Sequence, residues 1–263
     1  LDDVIEVSGY PLPRQREQVL ASRRIGLGIT GLADALILLG LDYGSSTARE
    51  LAAGTMGGVC RAAYRASVAL AREKGVFPRF RAGPYLQAPF VAALPADIRR
   101  GIARWGIRNS HLLAIAPAGT ISLLAGNVSS GIEPVLGFSL RRRVRGPDGR
   151  SQVHLLDDPA YLRWRESHGA APLPSYFVTA DQLAPEDHLR MQAALQPQVD
   201  SAISKTINLP AGIGFDRFRG LYQRAYDLGL KGCTSFRPNP VTGSLLAVDG
   251  AGAHCCSPER EGD

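Results

Sequence analysis

Ile115-Ala-Pro-Ala-Gly-Thr-Ile-Ser-Leu-Leu-Ala-Gly-Asn-Val-Ser-Ser-Gly-Ile-Glu-Pro134 is the stretch on which the reading of this chain turns. Leading into it, His111 to Ala116 is a short apolar run suited to a buried strand. Pro117-Ala118-Gly119 breaks that run, and Thr120 to Leu124 can open a helix. A strand that ends in a small-residue loop at a helix start directs several backbone N–H groups the same way, which suits a phosphate or another anion. The same residues also fit a plain strand-to-helix turn with Thr120 as its N-cap. Local pattern leaves both readings open.

Upstream, Arg23-Arg-Ile-Gly-Leu-Gly-Ile-Thr-Gly-Leu-Ala-Asp34 contains a formal G-x-G-x-x-G at Gly26, Gly28 and Gly31. A dinucleotide fingerprint needs a buried strand before it and an acidic residue closing the next strand ~20 positions on. Here Glu17 to Arg24 is polar and helix-like, and Thr47 to Leu51 starts another helix. The glycines are therefore expected to serve close packing of a helix that runs to about Leu39 and stops at Gly40. A stand-alone Rossmann oxidoreductase is the weakest reading. Thr47-Ala-Arg-Glu50 reads as a capping box opening a long helix that ends near Lys74, with Gly75 as its stop. Gly54, Gly57 and Gly58 each cost that helix roughly 1 kcal/mol, which points to close backbone contacts. Cys60 within it reads as a small buried apolar residue. Residues 1–22 read as an irregular lead-in, and 76–100 as a long ordered loop.

Downstream, Leu136 to Arg145 and Gln152 to Leu155 read as strands around the turn Gly146-Pro-Asp-Gly149. The run Arg141-Arg-Arg-Val-Arg145 reads as a solvated strand edge. Pro185 to Leu195 is a helix with proline at its first position and acids in its first turn, which places His188 at the surface. Phe215, Phe218, Tyr222, Ala225 and Leu228 make a helical stripe stopped by Gly229, and Leu230 to Phe236 reads as the strand after it. Helix and strand alternate, so the fold class is α/β.

The 263 residues carry a net charge of +6 and 45% hydrophobic residues, the composition of an ordinary globular protein with length for a sizeable core. The positive balance suits an anionic ligand, and phosphorylated metabolites satisfy it without a nucleic-acid surface. No stretch reaches the ~18 apolar residues of a membrane span. The acidic Leu1-Asp2-Asp3 start lacks the basic n-region of a signal peptide and an initiator Met, so the chain is expected to begin partway through a longer protein. Cys60, Cys233, Cys255 and Cys256 form neither a disulfide framework nor a zinc pattern, so no metal site is expected. A reducing cytoplasm is the simplest setting.

Four segments together resemble one family, the ribonucleotide reductase large chain, and most closely its adenosylcobalamin-dependent class II. They are Arg23 to Asp34; Asn109-Ser110 with Ile115 to Ser122 and Ser130-Gly-Ile-Glu-Pro134; Gln192 to Leu209, with Asp200 and Ile203-Ser-Lys-Thr-Ile-Asn208; and Leu228 to Arg237. They stand in the family's order. The resemblance implies the C-terminal part of a ten-stranded α/β barrel of the ribonucleotide reductase and glycyl-radical-enzyme type. The resemblance runs from about Arg23 to Arg237, with residues 1–237 as the barrel portion and 238–263 as a mobile tail. It implies that Ala118, Gly119, Thr120, Ile121 and Ser122 hold the phosphates of a ribonucleoside di- or triphosphate, with Thr120 the best side-chain candidate. The family commonly has Thr where this chain has Ala118, which removes one hydroxyl but no backbone donor.

The resemblance also implies an absence. The family's radical cysteine sits in an Asn-x-Cys-x-Glu context, which this sequence lacks, so no catalytic residue is expected here. Cys60 and Cys233 lie in segments that do not match that context, and nothing marks Cys233 as a member of the family's reducing pair. Activity is expected to need the N-terminal half of a reductase, with adenosylcobalamin as the radical initiator. A non-catalytic nucleotide-binding or assembly subunit is the alternative. In the tail, Cys255 and Cys256 fit a shuttle taking electrons from thioredoxin or glutaredoxin. Adjacent cysteines close a strained ring, which is easier to reduce. A metal-scavenging role with His254, or no role, stands equally open.

Overall fold

A computed structural model describes residues 1–145, 150–238 and 246–248. In chain order the elements are α1 (Asp2–Val7), α2 (Pro13–Ser22), α3 (Leu32–Leu38), α4 (Ser46–Lys74), α5 (Ala82–Gln87), α6 (Pro89–Ala92), α7 (Ala96–Trp105), α8 (Gly119–Leu124), β1 (Ser139–Arg145), β2 (Ser151–Asp157), α9 (Pro159–His168), α10 (Pro185–Leu195), β3 (Thr206–Asn208), α11 (Phe215–Asp227), β4 (Thr234–Phe236) and β5 (Leu246–Val248). They divide between two compact units.

The first unit comprises Leu1–Gly28, Ala53–Ile115 and Leu195–Ala202. Its strand-like element is the expected one: Leu27 and Leu113 pair as a parallel bridge. Ser201 N–H donates to Leu113 O at 3.0 Å, and Asp200 accepts the N–H groups of Leu112 (2.8 Å) and Leu113 (2.9 Å). Gly28 lies in this extended segment rather than in a helix. A Cβ there would sit 2.4 Å from Ala114 O, so close packing is the glycine's role although the expected helix begins only at Leu32. Gly57 is less tight, a Cβ there meeting the side chains of Arg61 at 3.1 Å and Gln198 at 3.2 Å, whereas Gly58 has open space. Residues 1–22 are not irregular. They form α1 and α2, and Asp2 is the reason they hold. Its carboxylate accepts from Arg23 Nε (2.8 Å), Arg108 Nε (3.0 Å) and Asn109 Nδ2 (2.9 Å) in a buried cluster. Burial alone would raise the Asp2 pKa, but those hydrogen bonds outweigh it and hold it at about 2. Residues 76–100 hold α5, α6 and the start of α7, with Phe77, Phe80 and Tyr85 packed edge to face.

The second unit comprises Ile29–Ala52, Ala116–Ala194 and Ile203–Asp263. β3 and β4 pair in parallel, with Thr206 opposite Thr234 and Asn208 opposite Phe236, and α11 crosses between them. A parallel pair joined by a helix is the βαβ unit of an α/β fold. Leu189, Ile207, Leu209, Leu221 and Ala225 form its core. Of the expected stripe on α11, Ala225 lies in the core beside Leu221, Phe218 and Leu228 pack against it, and Phe215 and Tyr222 are exposed. β1 pairs antiparallel with β2 and with β5, which lies in the expected tail. The turn 146–149 and the pair Cys255–Cys256 lie outside the described residues. The start of α4 is capped by Ser45, whose Oγ accepts the Ala48 N–H at 3.1 Å, rather than by Thr47.

Candidate anion-binding loop

The loop ahead of α8 is built on one unusual backbone. Ala118 adopts the left-handed conformation (φ 55°, ψ 29°) and is the residue preceding the helix, so Thr120 lies inside the first turn instead of capping it. A left-handed residue followed by helical ones turns consecutive N–H groups toward a common concavity. Ser122 N–H is taken by Ala118 O at 2.8 Å. Among the described residues no acceptor meets the N–H groups of Ala118, Gly119, Thr120 or Ile121. α8 has only six residues, so these donors matter more than any helix dipole. Thr120 and Ile121 are exposed, while Ser122 is buried. Its hydroxyl donates to Gly119 O (2.8 Å) and meets Ser130 Oγ at 3.2 Å, bracing the loop from beneath. The structure thus brings Ala118 to Ser122 into one turn and gives them different parts: open donors at 118–121, a brace at 122.

The next stretch, Ser129 to Pro134, is anchored on both sides. Ser129 O accepts from Gly31 N–H (2.7 Å) and Thr30 Oγ1 (2.8 Å). Tyr43 donates its hydroxyl to Ile132 O at 2.5 Å. Burial, with the nearby Glu133 carboxylate, raises the Tyr43 pKa well above its ordinary value, so it remains a donor.

Sequence reasoning missed a buried ionic cluster around Lys205, whose side chain is fully enclosed. Its ammonium donates to Glu133 Oε2 (2.5 Å), to His188 Nδ1 (2.8 Å) and to Thr206 O (2.7 Å). Glu133 Oε1 accepts the Thr206 N–H at 2.6 Å, tying the turn after the loop to the start of β3. His188 is not at the surface but completely buried. Burial first, and then the Lys205 charge, push its pKa down to about 3. It is a neutral imidazole that accepts at Nδ1 and donates from Nε2 to Ala180 O (3.2 Å). Glu133 and Lys205 both fell within the resembling segments, but no spacing rule joins positions 133, 188 and 205.

Cys60 and Cys233 are free thiols with raised pKa values, each because burial disfavours the thiolate. Among the described residues no group of His, Cys, Asp and Glu could hold a metal ion, and no helix is long and apolar enough to cross a membrane. An open cleft of about 780 Å³ beside Phe138 and Phe177 is walled by the carboxylates of Asp42 and Asp187.

The family described as ribonucleotide reductase, barrel domain, matches residues 1–236. The chain is 37% identical to a vitamin B12-dependent ribonucleoside-diphosphate reductase of Mycobacterium tuberculosis (strain ATCC 25618 / H37Rv), over 94% of this chain and 35% of that protein. It is 32% identical to the protein of that name from Thermoplasma acidophilum, over 94% of this chain and 32% of the other. It is 27% identical to ribonucleoside-diphosphate reductase subunit alpha of Treponema pallidum, over 88% and 26%. The chain spans about a third of the length of the curated relatives it matches.

Proposed function

We propose that this chain, which belongs to the ribonucleotide reductase barrel family, supplies the substrate-phosphate loop of a reductase that converts ribonucleotides to 2′-deoxyribonucleotides. The observation that carries the reading is the run of open N–H donors at Ala118 to Ile121, joined by the exposed Thr120 hydroxyl. Polyanionic phosphate is the ligand that such donors stabilise best. In this reading the loop holds the phosphates and fixes how far the ribose reaches into the barrel. Ser122 and Ser130 keep the donors in register. No residue of this chain is assigned the abstraction of the ribose hydrogen, because no Asn-x-Cys-x-Glu segment is present. That role falls to an N-terminal portion, without which the chain is inactive.

The cofactor we propose is adenosylcobalamin, from the names of the relatives in Mycobacterium and Thermoplasma. When bound it supplies the initiating radical. The acid-walled cleft at Asp42 and Asp187 does not suit the cofactor's anionic nucleotide tail, so no step is assigned through it. Thioredoxin or glutaredoxin is the proposed reductant, and the cytoplasm the proposed location.

The test combines this chain with a family N-terminal portion and measures deoxynucleotide formation. Product should require both polypeptides and adenosylcobalamin. Product from this chain alone, or without cobalamin, would defeat the corresponding part of the reading. Thr120→Val should raise the substrate KM at least about tenfold, the loss of one hydrogen bond to a charged group.

A further inference from the structure

The turn after the loop is held by an acidic pair that neither the loop chemistry nor the ionic cluster uses. Asp34 Oδ2 accepts the Ser129 N–H at 2.7 Å, and Ser129 Oγ accepts the Ala33 N–H at 3.1 Å. Ser130 beside it meets Ser122 of the loop, and Val128 N–H donates to Ser122 O at 3.2 Å. Asp34 Oδ1 is buried and meets no donor among the described residues. Asp158 is equally buried, each residue being 4% exposed. Its Oδ1 caps α9 by accepting the Tyr161 N–H at 2.9 Å, and α9 packs against α3, which brings the Asp158 and Asp34 carboxyl groups into contact. Two ionised carboxylates have only acceptors to offer, so that contact is a hydrogen bond only when one of them keeps its proton.

We propose that Asp34 and Asp158 share a single proton and act as a positioning pair, holding the Ser129–Gly131 turn and, through Ser130, the anion loop. Each carboxyl spends one oxygen as an acceptor, Asp34 Oδ2 for Ser129 and Asp158 Oδ1 for Tyr161, so the shared proton lies between Asp34 Oδ1 and the second oxygen of Asp158. Burial first, and then the charge of Asp34, push the Asp158 carboxyl up to about 7. Asp34 is the sole titratable residue of α3, and Gly126 to Gly131 contribute none. On the flanking elements, Asp157 precedes Asp158, and Tyr161 and Arg163 are the first titratable residues of α9. Above neutrality the pair becomes two buried like charges, Asp34 is driven from its partner, and the Ser129 tether loosens. The consequence for ligand binding rests on the proposed nucleotide reading, whereas the tether itself does not.

The direct readout is hydrogen exchange of the Ser129 amide at pH 6 and pH 8.5, corrected for intrinsic exchange. The unmutated protein should lose at least about tenfold in protection across that interval, as a tether worth one charged hydrogen bond requires. Asp158→Asn should keep its protection at both pH values, since the amide donates to Asp34 while its oxygen still caps Tyr161. Asp34→Asn, which reverses the donor and acceptor, should behave alike and serves if the first variant does not fold. A flat profile in the unmutated protein, or an unchanged drop in both variants, overturns the pair. Titration with a nucleoside diphosphate should weaken over the same interval only in the unmutated protein. Affinity that ignores pH while Ser129 responds overturns the link to the loop. Absence of nucleotide binding with the Ser129 response intact refutes the nucleotide reading and leaves the pair standing.

Discussion

Replacing Lys205 with Met removes the charge at the centre of the buried cluster while keeping an unbranched side chain of similar length. The substitution leaves Glu133 with the Thr206 N–H but without its ammonium partner, and leaves His188 Nδ1 without that donor. Removing one partner of a buried ion pair costs about 3–5 kcal/mol, because the remaining charge is uncompensated. For a chain of this size, each kcal/mol moves the melting temperature by about 2–4 °C, so the drop expected is about 6–20 °C. Pairing Lys205→Met with Glu133→Gln removes the stranded charge, and the Gln oxygen can still accept the Thr206 N–H. The double variant should therefore recover at least about half of the loss, a coupling that a double-mutant cycle reads directly. Urea unfolding at pH 7 supplies the free energies. Imidazole titration by NMR supplies an independent check, because the His188 pKa should rise from about 3 once the neighbouring ammonium is gone. A loss below about 1 kcal/mol in Lys205→Met, or strict additivity in the double variant, would refute the account of the cluster.

Further outcomes follow from single positions. Asp2→Asn should cost about 2 kcal/mol at pH 7, since a fall from 3.8 to about 2 in the folded state corresponds to about 2.4 kcal/mol. Because that pKa is depressed by folding, the contribution is present above about pH 4 and is lost as pH falls through 2, which acid unfolding of the two proteins would reveal. Gly28→Ala should destabilise by several kcal/mol through a contact of 2.4 Å with Ala114 O, whereas Gly58→Ala, in open space on α4, should stabilise by about 0.5–1 kcal/mol. Thermal melts of that pair separate the packing glycine from the tolerated one. Ala118→Gly should gain about 1 kcal/mol of stability, since the left-handed conformation there penalises a Cβ.

Much of the fold was legible where a residue carries its signal locally. Gly75 and Gly229 end their helices with positive φ, as expected of helix-stopping glycines, and the acidic first turn of α10 forms as read. The lead-in looks irregular in sequence because α1 and α2 carry no apolar stripe. They are held by Asp2 reaching Arg23, Arg108 and Asn109, partners as far as 107 positions away. Residues 76–100 look like a loop in sequence because of their prolines, yet these stand at helix starts, where proline is tolerated: Pro89 opens α6 and Pro95 precedes α7. His188 illustrates the general limit. Acidic neighbours on its own helix suggested solvent, and only the fold brings Lys205 to its ring.

The resembling segments within the second unit also acquire a physical reason for occurring together. Thr30, Gly31 and Asp34 grip Ser129; Ser130 touches Ser122 of the loop; Glu133, three residues on, takes Lys205 and the Thr206 N–H at the head of β3. From there the ladder to Thr234–Phe236 continues into the last segment, and Gln192 donates to Ile203 O and Gly232 O across it. Each segment is thus a link in one hydrogen-bonded chain with the Ala118–Ser122 loop at its middle. A loop of small residues has no side chains with which to fix its own shape, and open N–H donors are useful only if their spacing is rigid. The stiffness must therefore be imported from residues distant in sequence, and buried charges such as Lys205 and Asp34 hold it with hydrogen bonds that tolerate little displacement.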